Sequence, residues 1–179
     1  TECGVDFLMK VGPKNELKGN ISDVAPFKSD FFEIFFFRKG NGRIFLGDRT
    51  IPIHDNIILF ISPFQQQKWE VDEDALDFKF VIFQEEFISN LISDKYFVYR
   101  LLYCYQTVCP PLLEIDADEM SWYADYIEEM AYEGAGLADH AAGVYSLMTI
   151  ASVREFSGMG MYLGFACAVM VVFAMLHAH

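Results

Sequence analysis

FFEIFFFRKGNGRIFLGDRTIPIHDNIILFISPFQQQKW, residues 31–69, decides the fold. Three apolar runs of β type are separated by joints rich in Gly, Asn, Asp and Pro. Phe31–Phe37 is aromatic or β-branched except at Glu33, which suits a packed, pleated strand. Lys39-Gly40-Asn41-Gly42 predicts a tight turn, after which Arg43–Leu46 returns. Gly47-Asp48-Arg49 turns again, and Ile57–Ser62 makes a further strand stopped by Pro63. Short strands at a spacing of about 8–12 residues predict a β-sandwich or small barrel.

Working outward, Val5–Met9 reads as a strand, Gly12-Pro13-Lys14-Asn15 as a loop, and Ile21–Phe27 as the lead into the barrel. Downstream, Val71-Asp72-Glu73-Asp74 is an acidic turn and Leu76–Phe83 (LDFKFVIF) alternates as a long strand. Residues 96–106 (YFVYRLLYCYQ) fit either type of element, Pro110-Pro111 breaks the chain, and Leu112–Ile115 predicts a last strand. From Asp116 the apolar period changes from two to 3.6. Asp116-x-x-Glu119 has the form of a capping box, with Asp for the usual Ser or Thr. Trp122, Tyr126, Ile127, Met130 and Tyr123 predict the apolar face of a helix that runs to about Glu133, before Gly134-Ala135-Gly136. A second helix is expected over 137–156, with Val144, Leu147, Met148 and Ala151 on one stripe. These residues are the predicted dimer interface, and capping of the barrel is the other use such helices have. Met159–Leu176 carries no charge and is as long as a short membrane span. It lacks flanking Lys or Arg and is interrupted by Gly160, Gly164 and Ala168, which favours a helix buried in an oligomer or against the barrel. The expected division is 1–115 barrel, 116–157 helical segment and 158–179 apolar tail.

The 179 residues are 53% hydrophobic and 16% aromatic, enough to bury a real core. A net charge of −13 opposes phosphate backbones, so the chain is not expected to grip DNA or RNA itself. Cys3, Cys104, Cys109 and Cys167 form no C-x-x-C pair, and TECGVDFLMK has no basic-then-apolar secretory run. Reduced thiols in the cytoplasm are the expectation.

The run of aromatic strand, Glu33, Gly40-x-Gly42 turn, short strand pair and Ile61-Ser62-Pro63 resembles the cupin-like sensor barrel of AraC-type transcription regulators. The resemblance covers roughly residues 20–157. It implies a fold that is mainly β with α, a cupin-like double-stranded β-helix followed by a helical pair. It also implies a small-molecule effector, a homodimer, and DNA contact only through a helix-turn-helix domain that residues 1–179 do not contain. Metal-dependent cupins carry His-x-His ahead of the Glu; the matching stretch is Pro26-Phe27-Lys28-Ser29, and the later His slot falls on Gln67 or Lys68. A single remaining carboxylate does not hold a transition metal usefully, so no metal or other cofactor is expected. A stand-alone cupin enzyme, of isomerase or epimerase type, is the alternative, and a catalytic role would need an acid–base pair that nothing in the sequence supplies.

The family pattern points Glu33 inward, and alternation then sends Phe31, Phe35 and Phe37 inward too. Phe32, Ile34 and Phe36 face outward, where a sheet, helix or partner must cover them. Lys28, Phe31, Glu33, Phe35, Phe37, Arg38, Gln65, Gln67 and Trp69 are the expected ligand-binding residues of an aromatic pocket with a few polar groups. A filled apolar core is the competing reading, with Glu33 neutralised by Lys28, Arg38 or Lys79.

Overall fold

The computed structural model describes residues 9–17, 21–22, 24–84 and 112–131. The strands are β1 (Met9–Pro13), β2 (Phe27–Lys28), β3 (Phe32–Lys39), β4 (Gly42–Leu46), β5 (Arg49–Ile53), β6 (Ile57–Ile61), β7 (Gln66–Val71), β8 (Asp77–Phe83) and β9 (Leu112–Glu114). The helix α1 (Ala117–Ala131) follows. A five-stranded sheet runs β1-β8-β3-β6-β9 and a four-stranded sheet runs β2-β7-β4-β5, with every pairing antiparallel. The architecture is mainly β with α: two sheets face each other across a core, as the cupin resemblance implies. No ladder joins the two sheets among the described residues, so side-chain packing rather than backbone pairing holds them together.

The inner core takes Phe35, Phe37, Ile57, Leu59, Ile61, Phe78 and Phe80 from the five-stranded sheet. From the other sheet come Ile44, Leu46, Ile51, Ile53 and Trp69. Phe35 joins the layers by meeting Trp69 of the opposite sheet at 5.1 Å, and within its own sheet it meets Phe78 at 5.7 Å, both near T-shaped. On the far side of β3, Phe32, Ile34 and Phe36 join Ile58, Val81 and Phe83 under Met120, Tyr123 and Ile127 of α1. The element required to cover the outward face of β3 is therefore α1.

The Gly40–Gly42 corner departs from a hairpin. β3 pairs with β6 and β8, whereas β4 pairs with β5 and β7, so the chain changes sheets at this corner. β4 does not return along β3 because the interior needs both layers. Gly42, at φ +138°, could not carry a Cβ, which would fall 2.4 Å from the Glu70 carbonyl oxygen. Gly47-Asp48 is a true two-residue hairpin, and β6 ends before Pro63 as expected. Gly12-Pro13, expected as a loop, instead completes β1. That strand is at a sheet edge, where the missing Pro N–H costs no ladder bond. Of the strand expected over Val5–Met9, only Met9 lies within the described residues, and it belongs to β1. β5 and β7 are strands that the sequence reading does not name.

α1 starts as its sequence demands. The Glu119 N–H donates to Asp116 Oδ1 at 2.8 Å and the Asp116 N–H donates to Glu119 Oε2 at 3.3 Å, closing the capping box. The buried stripe is Met120, Tyr123 and Ile127; Trp122, expected on that face, is 52% exposed and stacks on Tyr126. Lys79 ties the helix down by donating to the Ala124 carbonyl and to Glu128, each at 2.8 Å. The expected second helix with Val144, Leu147, Met148 and Ala151, the ambiguous 96–106 segment and the apolar tail all lie outside the described residues. Among the described residues no helix is long and apolar enough to cross a membrane.

Candidate functional site

Polar side chains are scarce in the interior, and they converge. Glu33 on β3 and Gln67 on β7 face each other across the two sheets, 7% and 1% exposed. Gln67 Nε2 donates to both carboxyl oxygens of Glu33 at 3.2 Å, and the Trp69 indole N–H donates to Gln67 Oε1 at 2.9 Å. An indole N–H only donates, so the amide oxygen must face Trp69 and the amide nitrogen must face Glu33. Alternation brings Gln67 and Trp69 to the same face of β7. The Ser29 hydroxyl, at the foot of β3, is the other hydrogen-bond partner of Glu33.

Among the described residues no cation joins them. Arg38 lies on the outside and pairs with Asp77, with Nε–Oδ2 at 2.6 Å. Lys79 is committed to α1, and Lys28 is exposed and in register with Gln66, whose side chain is also on the outer face. The expected neutralisation of Glu33 by Lys28, Arg38 or Lys79 is thus replaced by two neutral donors. Burial pushes the Glu33 carboxyl above its ordinary pKa, and the bonds from Ser29 and Gln67 offset only part of that rise.

The walls are apolar. Trp69 and Phe35 stand next to the polar chain, with Phe37 and Phe78 beyond them. At the same end, the turn after β6 closes against the foot of β3. The Phe64 N–H donates to the Ser29 carbonyl at 2.6 Å, and the Ser62 N–H donates to the side-chain oxygen of Gln65 at 3.2 Å. Phe64 holds a left-handed φ of +64° and leaves its ring 66% exposed, an unusual conformation for an aromatic residue.

Of the expected ligand-binding residues, the fold brings together Glu33, Phe35, Phe37, Gln67 and Trp69. Phe31 and Gln65 are half-buried at the rim of the same end. Lys28 and Arg38 are not brought in; Arg38 instead lines a cleft of about 310 Å³ between β8 and α1, with Phe36, Asp77, Lys79 and Glu128. The sequence reading does not single out Ser29 or Phe78. Ser29 sits in a bend with no periodic signal, and Phe78 is one aromatic among several on β8.

Chemically, the arrangement is a carboxyl acceptor among packed aromatic side chains, oriented by an amide. Its neighbours are an amide, an indole and a hydroxyl, so Glu33 has no titratable partner among the described residues. No group of three or more His, Cys, Asp or Glu gathers among the described residues. His54 lies in the β5–β6 connection with Nε2 3.6 Å from Glu114, apart from Glu33.

No family model and no curated protein matches the chain. Among solved structures, it is similar to an apo ToxT variant from Vibrio cholerae, with a TM-score of 0.48 and 10% identity over 83% of this chain and 56% of that one. A second ToxT structure from the same organism gives a TM-score of 0.47 and 11% identity over 82% and 55%. ToxT is an AraC-family regulator. Vicilin from Capsicum annuum gives a TM-score of 0.26 and 13% identity over 62% and 40%. The chain spans little more than half the length of the ToxT chains. At these scores the likeness carries no argument about what this chain binds or does.

Proposed function

We propose that this chain is the effector-sensing domain of an AraC-type transcription regulator, binding a small molecule in the sandwich interior at Glu33 and Gln67 without a metal. The observation that carries the reading is the buried Glu33 carboxyl, oriented by Gln67 and Trp69 among aromatic side chains and without a counter-charge among the described residues. A buried acid with no cation detracts from stability, and such groups concentrate where a protein binds or reacts. Among the described residues Glu33 lacks the second acid or base that general acid–base catalysis requires, which favours binding over an enzyme. Sensing would act as a population shift: the effector prefers one docking of the helices on the barrel, and so one spacing of two DNA readers. In this reading the chain is cytoplasmic and dimerises through Val144, Leu147, Met148 and Ala151. It reaches DNA only through a separate helix-turn-helix domain, because a net charge of −13 works against the phosphate backbone.

A thermal-shift screen of sugars, short acids, amines and aromatic metabolites tests the reading. A ligand at 100 times its Kd adds about 2.7 kcal/mol to folding stability. The expected result is at least one compound that stabilises the wild-type chain and fails to stabilise Glu33→Gln. Stabilisers that act equally on both proteins would overturn the assignment of the site. For the dimer, sedimentation should show the double variant Leu147→Glu, Met148→Glu as a monomer and the wild type as a dimer at micromolar concentration. A monomeric wild type would remove dimerisation from the reading.

A further inference from the structure

We propose that the interior site selects a small organic cation, an amine on a short apolar body. The proposal rests on the reading above and names the class of ligand for the same residues.

The charge balance around Glu33 is the first argument. Among the described residues its partners are Gln67 and Ser29, both neutral, and Lys28, Arg38 and Lys79 are all placed elsewhere. Ionising a buried carboxyl without a counter-charge is strongly disfavoured, and a bound cation supplies the missing charge in a way that no neutral ligand can. A ligand carrying its own carboxylate would place a second negative charge beside the first.

Hydrogen-bond capacity is the second. An ionised carboxylate offers about four lone-pair positions. One amide nitrogen spans both oxygens at 3.2 Å, and Ser29 supplies one further donor, so acceptor capacity remains. An ammonium group brings three donors and no acceptor, which suits an acceptor-only anchor. Gln67 cannot turn its oxygen towards a ligand without abandoning the Trp69 indole. The charged acceptor of the polar chain is therefore Glu33.

The neighbouring side chains agree with this class. Phe35 shares the inner face of β3 with Glu33 and meets the Trp69 ring at 5.1 Å, and aromatic rings attract cations through their quadrupoles. The turn carrying Phe64 is bonded to Ser29, which also bonds Glu33, so the left-handed turn and the anchor share one residue. A ligand that displaces the Ser29 hydroxyl from Glu33 would act directly on this turn.

Three probes with one carbon skeleton test the proposal on the full chain: butylamine, butanol and butyrate. Butylamine should raise the melting temperature of the wild type dose-dependently, butanol should do so far less, and butyrate not at all. Glu33→Gln should weaken the butylamine response at least tenfold. As a check that does not depend on that variant folding, Trp69 fluorescence, isolated by Trp122→Phe, should change with butylamine and not with butyrate. If butanol or a sugar stabilises the wild type in a Glu33-dependent manner and butylamine does not, the cation class is wrong while the sensing site stands. If no compound of either screen stabilises the wild type, or if every stabiliser acts equally on Glu33→Gln, both fail.

Discussion

Strands β3 and β7 flank the same interior and are buried differently: β3 is covered on both faces, β7 on one. β3 packs Phe35 and Phe37 against the opposite sheet and Phe32, Ile34 and Phe36 against α1. Its sequence is accordingly a nearly unbroken apolar run. β7 buries Gln67 and Trp69 and turns Gln66, Lys68 and Glu70 towards solvent. There Arg43 and Lys68 flank the Phe45 ring and both pair with Glu70. Each strand contributes one polar residue to the interior. On β3 that residue, Glu33, breaks the apolar pattern and stands out; on β7 Gln67 is hidden among polar neighbours. A polar residue in a doubly covered strand is therefore an informative signal, whereas one in a half-covered strand becomes so only once the strand's inner face is known.

The largest effect expected from this difference is at Phe36. Phe36→Ala removes a ring packed 5.5 Å from Tyr123 and should cost about 3–5 kcal/mol in chemical denaturation. Lys68→Ala on the open face of β7 should change stability by about 0.5 kcal/mol or less. If the two substitutions cost the same, the outward face of β3 is not a core. Next comes the polar chain. Gln67→Leu strips Glu33 of its amide donor and leaves the Trp69 indole unbonded, so it should cost about 2–4 kcal/mol. Gln66→Leu, one residue away and exposed, should be nearly neutral. Adding Glu33→Leu to Gln67→Leu should recover part of the loss, because a contacting pair is not additive; strict additivity would mean that the two residues do not interact. Asp116→Ala, which opens the capping box over the covered face of β3, should cost about 1 kcal/mol. It should leave the Glu33 end of the molecule unchanged in ligand response.

Much of this was legible because burial on two faces writes a simple pattern. The runs at 31–37, 57–62 and 76–83, the last strand near 112 and the Asp116 cap are all found where their residues indicate. β5 and β7 were hidden for a physical reason. RTIPI carries a proline, tolerable because the strand is at a sheet edge, and QQKWEV buries only every second residue. The change of sheet at Gly40–Gly42 was also invisible: the same glycines serve a hairpin or a crossing, and only long-range pairing decides. At the site, alternation from Glu33 correctly gave Phe35 and Phe37. Arg38 follows an inward residue, and β3 shifts register between Phe37 and Lys39, so sequence proximity to the pocket did not place it inside.

The smallest effect concerns pH, and it separates the interior carboxyl from the surface ones. The folded chain holds the Glu33 proton to higher pH than the unfolded chain does. The stability tied to the neutral form is therefore complete below the unfolded pKa, and is lost as pH rises through the raised folded value. Glu33→Gln should lack this loss and gain on the wild type as pH climbs through that window. The backbone N–H of Gly40 and then Lys39 hold Asp55 low, Lys68 and then Arg43 hold Glu70 low, and Lys79 holds Glu128 low. Their contributions are present above the unfolded pKa and fade as pH falls, giving a slope of opposite sign that both proteins share. A wild-type minus variant difference that is flat with pH would contradict the burial of an uncompensated acid.

The central claim is that Glu33 is an interior carboxyl with no counter-charge among the described residues. The most direct measurement is an NMR titration of its side-chain carboxyl carbon in the ligand-free full chain. The account predicts a midpoint clearly above the ordinary glutamate range, moving to lower pH when butylamine is added. A midpoint within or below that range, unchanged by the amine, would mean that the protein already supplies the missing charge, and would contradict the account.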